Sequence, residues 1–297
     1  MNILIIGSKG FIGTHCVSYF SKQHNVWQCD VVADYVTEHY CIVDATNADY
    51  SEVFQNKNFD ICINCSGAAS VPDSIKNPQR DFMLNTVNVF KQLDAIRKYN
   101  NNCKYINLSS AAVYGNPVYL PIDEKHPKKP ISPYGYHKKS AEDICKEFYE
   151  AHGIATCSLR LFSVYGPGLQ KQLFWDLHKK SLNNNSITLF GTGNESRDFI
   201  FIDDLLQAIN LTIRNSNFKN EIINVANGEE HFIKDIAAIF YNIYDTSLVF
   251  NFSEQVRTGD PINWKADIST LQNYGYVQKT SIEKGLKNFI EWAKEIK

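Results

Sequence analysis

Three glycines stand three residues apart, Gly7, Gly10 and Gly13 in GSKGFIG, directly behind the apolar run NILIIG at the start of the chain. A strand that ends in such a stretch reads as a tight turn feeding a helix, because glycine permits the turn and lets backbone come close to a neighbour. The first N–H groups of that helix then point past the end of the strand, where an anionic pyrophosphate is the ligand they suit. A glycine motif alone also occurs as a ligand-free turn. Its place after the first strand weighs towards binding.

The rest of the first half keeps the same rhythm. VWQCDVV, YCIV, FDICINCS, KYINLSS and ATCSLRLF read as strands, and residues 11–21, 78–99 and 133–152 as helices. Such alternation predicts an α/β fold with a doubly wound parallel sheet. After Gly168 the strands shorten (SITLFGTG, RDFIFIDDL, EIINVAN) and mix with helices, which predicts a smaller, discontinuous substrate-binding domain. The expected cofactor domain is residues 1–165 with a return segment near 198–226, and the cap is 166–197 with 227–297, the active site lying between them. NNN at 100–102 and again at 183–185 reads as exposed turns, and residues 281–294 as a terminal amphipathic helix.

Totals exclude several classes. A net charge of −2 over 297 residues leaves no electrostatic footprint for nucleic acid or an anionic membrane. The N-terminal apolar run is too short for a signal peptide or a spanning helix, and no other run approaches the ~20 apolar residues a bilayer needs. The eight cysteines share no repeated spacing. Cys62 and Cys65 of CINC stand on a strand with side chains on opposite faces, so core packing is expected rather than a metal or redox site. A reducing, cytoplasmic setting with no metal is expected, and the histidines show no ligand spacing.

Asp30 ends the second predicted strand, where a carboxylate can accept from adenosine ribose hydroxyls and repel a 2′-phosphate. It argues for NAD. Lys9, inside the loop, is the contrary sign, since a lysine there can meet a 2′-phosphate. Asp44 either contacts the adenine or caps a following helix. Further on, SPYGYHKK carries Tyr134 with Lys138 and Tyr136 with Lys139, both pairs at helical spacing. A tyrosine with pKa near 10 needs about 4 kcal/mol of stabilisation to act as a base near pH 7. A lysine one turn away supplies part of it. NLSSAAVYG places Ser109 and Ser110 at a strand's carboxyl end, where ligand groups gather.

GSKGFIG, SSAAVYG, SPYGYHKKSAE, LRLFSVYGPG, RDFIFIDDL and RTGDPINWKADIS together resemble the extended short-chain dehydrogenase/reductases, in their NAD-dependent nucleotide-sugar epimerase/dehydratase group. SSAAVYGNPVYLPIDE is most similar to the UDP-glucose 4-epimerases within it. The resemblance implies a Rossmann domain and a catalytic set of Ser110, Tyr134 and Lys138. Tyr134 would be the base, and Lys138 would hold the nicotinamide ribose and lower the tyrosine's pKa. The cofactor set is Gly7, Gly10, Phe11, Ile12, Gly13, Asp30, Asp44 and Lys138, and the substrate set is Ser110, Arg197, Arg257 and Asp260. Asn85 matches a structural asparagine, although Asn88 and Val89 depart from the motif around it.

Dehydratases of the group carry an Asp-Glu pair where this chain has Ala111 and Ala112, neither of which can transfer a proton. The implied reaction is therefore C4 epimerisation of a UDP-hexose through a transient 4-keto intermediate. The rivals are an NAD(P)H-dependent 4-keto reductase and a cofactor-sensing binding protein without activity. A homodimer through the helices near 78–99 and 133–152 is implied as well. Tyr136 and Lys139 are expected to be bystanders, and His137 to be a neighbour on the solvent side.

Overall fold

A computed structural model describes residues 1–182, 186–255, 259 and 261–296. The elements run in chain order as β1 (Asn2–Ile6), α1 (Phe11–Phe20), β2 (Asn25–Asp30), β3 (Tyr40–Ile42), α2 (Ser51–Phe54), β4 (Ile61–Asn64), α3 (Val71–Lys76), α4 (Pro78–Phe82), α5 (Asn88–Tyr99), β5 (Lys104–Ser110), α6 (Pro133–His152) and β6 (Thr156–Leu161). They continue as β7 (Ser163–Tyr165), α7 (Gln172–Ser181), β8 (Ser186–Leu189), β9 (Ser196–Arg197), β10 (Phe199–Phe201), α8 (Ile202–Asn215), β11 (Lys219–Val225), β12 (His231–Phe232), α9 (Ile233–Tyr244), β13 (Val249–Phe252), α10 (Ser269–Asn273) and α11 (Ile282–Glu295).

The chain divides into two compact units. The first holds Met1–Gly115, Lys128–Leu161 and Ile209–Ile223; the second holds Asn116–Pro127, Phe162–Ala208 and Asn224–Lys297. The return to the first unit is thus shorter than the expected 198–226, because β10 pairs with β7 inside the second unit. Asn116–Pro127 also belongs to the second unit, where Ile122 bridges Ala266 and its carbonyl accepts from the Asn224 side chain. The NNN at 183–185 lies outside the described residues.

The first unit is built on a seven-stranded sheet in the order β11-β6-β5-β4-β1-β2-β3. The β3-β2-β1-β4-β5-β6 run is parallel throughout. Strands buried on both faces read as continuous apolar runs, as NILII and ICIN do. One face buries Leu4, Ile6, Cys62, Leu93, Ile96, Tyr105 and Phe148 in a shared cluster, each large side chain contributing about 1.5–3 kcal/mol. The order reverses between β1 and β4, so the carboxyl end of β1 is a switch point, where open α/β sheets bind ligands. The second unit packs its own aromatic core of Tyr165, Phe174, Phe199, Phe240 and Phe289.

The helical stretch expected over 78–99 is continuous, made of α4, a π turn and α5 with αR backbone at both junctions. Between α4 and α5, Met83–Val87 form a π turn, which inserts a residue and rotates α5 relative to α4. Asn85 and Thr86 are thereby buried, and Thr86 Oγ1 donates to the His137 carbonyl on α6 (2.9 Å). Among the described residues no helix is long and apolar enough to cross a membrane, and no group of His, Cys, Asp or Glu is placed to hold a metal ion.

Candidate active site

The glycine loop leaves β1 at Gly7, whose φ of +78° is the left-handed region that side chains resist. A Cβ there would lie 2.6 Å from the Ser66 nitrogen, and one on Gly13 would lie 2.0 Å from the Gly7 carbonyl oxygen. Both glycines are required by packing. Helix α1 then opens at Gly10 with no side chain capping its N–H groups, and Ser8 Oγ beside it is buried without a partner. Unsatisfied donors at a helix start fit a pyrophosphate, so the residues present suit the expected dinucleotide. Phe11 and Ile12 form the first turn of α1, both half-buried.

Asp30 stands at the end of β2. Its Oδ2 accepts from the Lys9 backbone N–H (2.8 Å) and its Oδ1 from that of Val31 (2.7 Å). The Lys9 ammonium turns instead to Asp34, 2.6 Å away, and lies 4.9 Å from the Tyr40 ring centroid. Asp34, held well below the ordinary carboxylate range by Lys9 and by Thr37, therefore occupies the cation that could meet a 2′-phosphate. Asp44 is exposed and caps a turn, not a helix: its Oδ1 accepts from the Thr46 and Asn47 N–H groups, and α2 begins only at Ser51.

Ser110, Tyr134 and Lys138 come together in the first unit, each at most 9 % exposed. Ser132 caps α6 by accepting from the Gly135 N–H, Pro133 takes the first helical position, and the Tyr134 N–H donates to buried Ser74 on α3 (3.2 Å). Lys138 Nζ donates to the Leu108 carbonyl at the end of β5 (2.9 Å), which seats it over the strand. Ser110 Oγ accepts from the Ala112 N–H (3.2 Å).

Burial pushes the Tyr134 phenol up to about 12; a hydrogen bond with Ser110 acts against the rise and the Asp81 carboxylate adds to it. Lys138, expected to lower this pKa, is not among these influences. The lysine spends a donor on a carbonyl, its nitrogen is 6.0 Å from the ring centroid, and desolvation dominates. Burial pushes Lys138 itself down to about 8, against carboxylates that pull it up. Tyr136 is 57 % exposed, and Lys139 pairs with Asp143 on the surface.

Two buried groupings escaped the motifs. On α6, Glu142 accepts from Arg160 Nε (2.9 Å) and Nη2 (2.8 Å), from Ser109 Oγ (2.7 Å) and from Lys128 Nζ (3.4 Å). Arg160 also donates to the Tyr114 hydroxyl (2.8 Å). This network ties α6 to β5 and β6. On the other side, His137 Nδ1 lies 2.5 Å from Oδ1 of Asp81, which is 2 % exposed. His137 is therefore not the solvent-side neighbour its position in the helix suggested, because α4 and the π turn cover it.

In the second unit, Arg197 donates to the carbonyls of Ser196 (2.7 Å) and Ile262 (3.2 Å), with its guanidinium 5.4 Å from the Trp264 ring centroid. Asp198, to which the motifs assign no role, is fully buried and accepts from the backbone N–H groups of Asn227, Gly228 and Ala266. It gathers three segments beside Arg197. Burial still pushes it up to about 7. Arg257 and Asp260 lie outside the described residues.

A family model described as the NAD dependent epimerase/dehydratase family matches residues 3–226. Among curated proteins, UDP-glucose 4-epimerase of Lactobacillus helveticus is 27% identical over 297 residues, covering 90% of this chain and 88% of its own. Among solved structures, UDP-glucuronic acid 4-epimerase from Bacillus cereus, in complex with UDP-glucuronic acid and NAD, aligns with a TM-score of 0.90 at 26% identity over all of both chains. UDP-N-acetylglucosamine 4-epimerase from Methanobrevibacter ruminantium, in complex with UDP-N-acetylmuramic acid, aligns with a TM-score of 0.89 at 27% identity, covering 99% of this chain and 98% of that one.

Proposed function

The chain belongs to the NAD-dependent epimerase/dehydratase family, and on that premise we propose that it is a UDP-sugar 4-epimerase, acting on a UDP-hexose through a transient 4-keto intermediate. The observation that carries the reading is the buried Ser110, Tyr134 and Lys138 cluster with only Ala111 and Ala112 beside it, equipped to move a hydroxyl proton and unequipped to expel a leaving group. The 4-epimerases among its relatives support it.

NAD, when bound, would supply the hydride acceptor and donor at C4 and a positive ring as counter-charge. The glycine loop and the start of α1 would hold its pyrophosphate, Asp30 the adenosine ribose, and Lys138 the nicotinamide ribose. Ser110 would receive the sugar's 4-oxygen, and Tyr134 would take its proton and later return it. Arg197, with Arg257 and Asp260, would hold the nucleotide diphosphate end, so binding energy sits remote from the chemistry.

Incubation of the purified protein with a panel of UDP-, dTDP- and GDP-sugars, followed by NMR, tests the reading. A 4-epimer formed with no added cofactor and no net oxidation is the expected result. Stoichiometric loss of NADH or NADPH with a 4-keto sugar replaces it with a reductase, and tight cofactor binding without turnover replaces it with a sensor.

Asp34→Ala gives a second prediction. Freed from its carboxylate, Lys9 is expected to tighten NADPH binding by roughly threefold or more and leave NADH almost unchanged, read by nucleotide fluorescence titration. Equal effects on both nucleotides would remove Asp34 from cofactor choice.

We place the protein in the cytoplasm as a homodimer. All eight cysteines are free, as a reducing compartment requires. Phe82, Met83, Phe90 and Tyr136 leave large apolar surface exposed on α4, the π turn, α5 and α6. Light scattering during gel filtration should return twice the chain mass.

A further inference from the structure

We propose that Asp81 is a positioning residue for the Tyr134–Lys138 pair: its carboxylate anchors α6 through His137, and its charge sets the pH window in which the pair works. Asp81 sits on α4, 2 % exposed, with Oδ1 2.5 Å from His137 Nδ1 and Oδ2 without a hydrogen-bond partner. A carboxylate so placed is costly to bury, and half of it is unsatisfied. His137 lies between Tyr134 and Lys138 in sequence and is gripped twice, by Asp81 at its ring and by Thr86 at its carbonyl (2.9 Å). Asp81 on α4 and Thr86 in the π turn that follows thus hold one residue of α6.

The charge acts on both members of the pair. Asp81 raises the Tyr134 phenol and the Lys138 ammonium alike. The other groups acting on Lys138 are Glu142 and Cys145 from α6 itself and Cys65 from the end of β4, and Tyr134 is faced, besides Asp81, by the Lys138 ammonium 6.0 Å from its ring centroid. Asp81 therefore acts on the two titrations in one direction, adding to the rise of Tyr134 and opposing the fall of Lys138. Protons stay on the phenol longer, which delays the base, and on the lysine longer, which keeps its cation available at alkaline pH.

The inference rests on Tyr134 being the base, so it is tested with and without turnover. Asp81→Asn keeps the shape and removes the charge. Both limbs of the pH–kcat profile should move to lower pH by about half a unit or more, with KM little changed. In cofactor-free protein, NMR of Cζ-labelled tyrosine should show the Tyr134 phenol ionising at lower pH than in the unsubstituted protein, whether or not the substrate has been identified. Asp81→Ser supplies the same readout should the asparagine variant not fold. His137→Gln breaks the anchor and keeps the charge, so its limbs should stay or move upward. Limbs and phenol unmoved in Asp81→Asn overturn the proposal. So does a downward move in His137→Gln, which would assign the effect to lost anchoring alone.

Discussion

Tyr134→Phe is expected to lower kcat by roughly 10²- to 10⁴-fold while cofactor affinity stays within about twofold. The change removes one hydroxyl from a residue whose ring is buried and whose backbone N–H is held by Ser74, so the helix keeps its place. What is lost is the hydroxyl that hydrogen-bonds Ser110 and that we propose exchanges a proton with the sugar. Tyr136→Phe, two residues on and 57 % exposed, should change kcat less than twofold. Steady-state epimer formation by NMR, beside a cofactor titration, decides the matter. If Tyr136→Phe proves the more damaging, the base has been assigned to the wrong tyrosine.

The second large effect is on stability. Glu142→Ala leaves the Arg160 guanidinium, 2 % exposed, without the carboxylate that takes two of its hydrogen bonds. Breaking a buried pair on one side costs about 3–5 kcal/mol, because the remaining charge stays out of water uncompensated. A double replacement, Glu142→Leu with Arg160→Met, should cost less than the single change, since it leaves no orphaned charge. Asp143→Ala, which breaks surface pairs with Lys139 and Lys128, should cost less than about 1 kcal/mol. Urea denaturation of these variants beside the unsubstituted protein gives the ranking. A Glu142→Ala loss no larger than that of Asp143→Ala would mean the network does not hold α6 in place.

Much of this site was legible before any coordinates. Gly7, Gly10 and Gly13 announce a turn, Gly7 because its φ is positive and Gly13 because a Cβ would meet the Gly7 carbonyl. Tyr134 and Lys138 announce a shared helical face because their spacing is one turn. The π turn at Met83–Val87 was not legible, since nothing in MLNTV distinguishes it from an ordinary helix. Nor was Asp81 meeting His137 across 56 positions, or Glu142 meeting Arg160 across 18. Sequence periodicity reports which face of an element is apolar, not which polar groups two elements bring into contact.

Local chemistry therefore settled the element types and the parallel sheet, because these arise from backbone geometry and spacing along one segment. Tertiary structure alone decided the electrostatics. Whether Lys138 lowers the pKa of Tyr134 depends on where its ammonium points and how much water is excluded, and it points at the Leu108 carbonyl. Whether Lys9 is available to a phosphate depends on Asp34, brought 2.6 Å from it by a loop. Charges act through space with a strength set by burial, and neither distance nor burial is written in the order of residues.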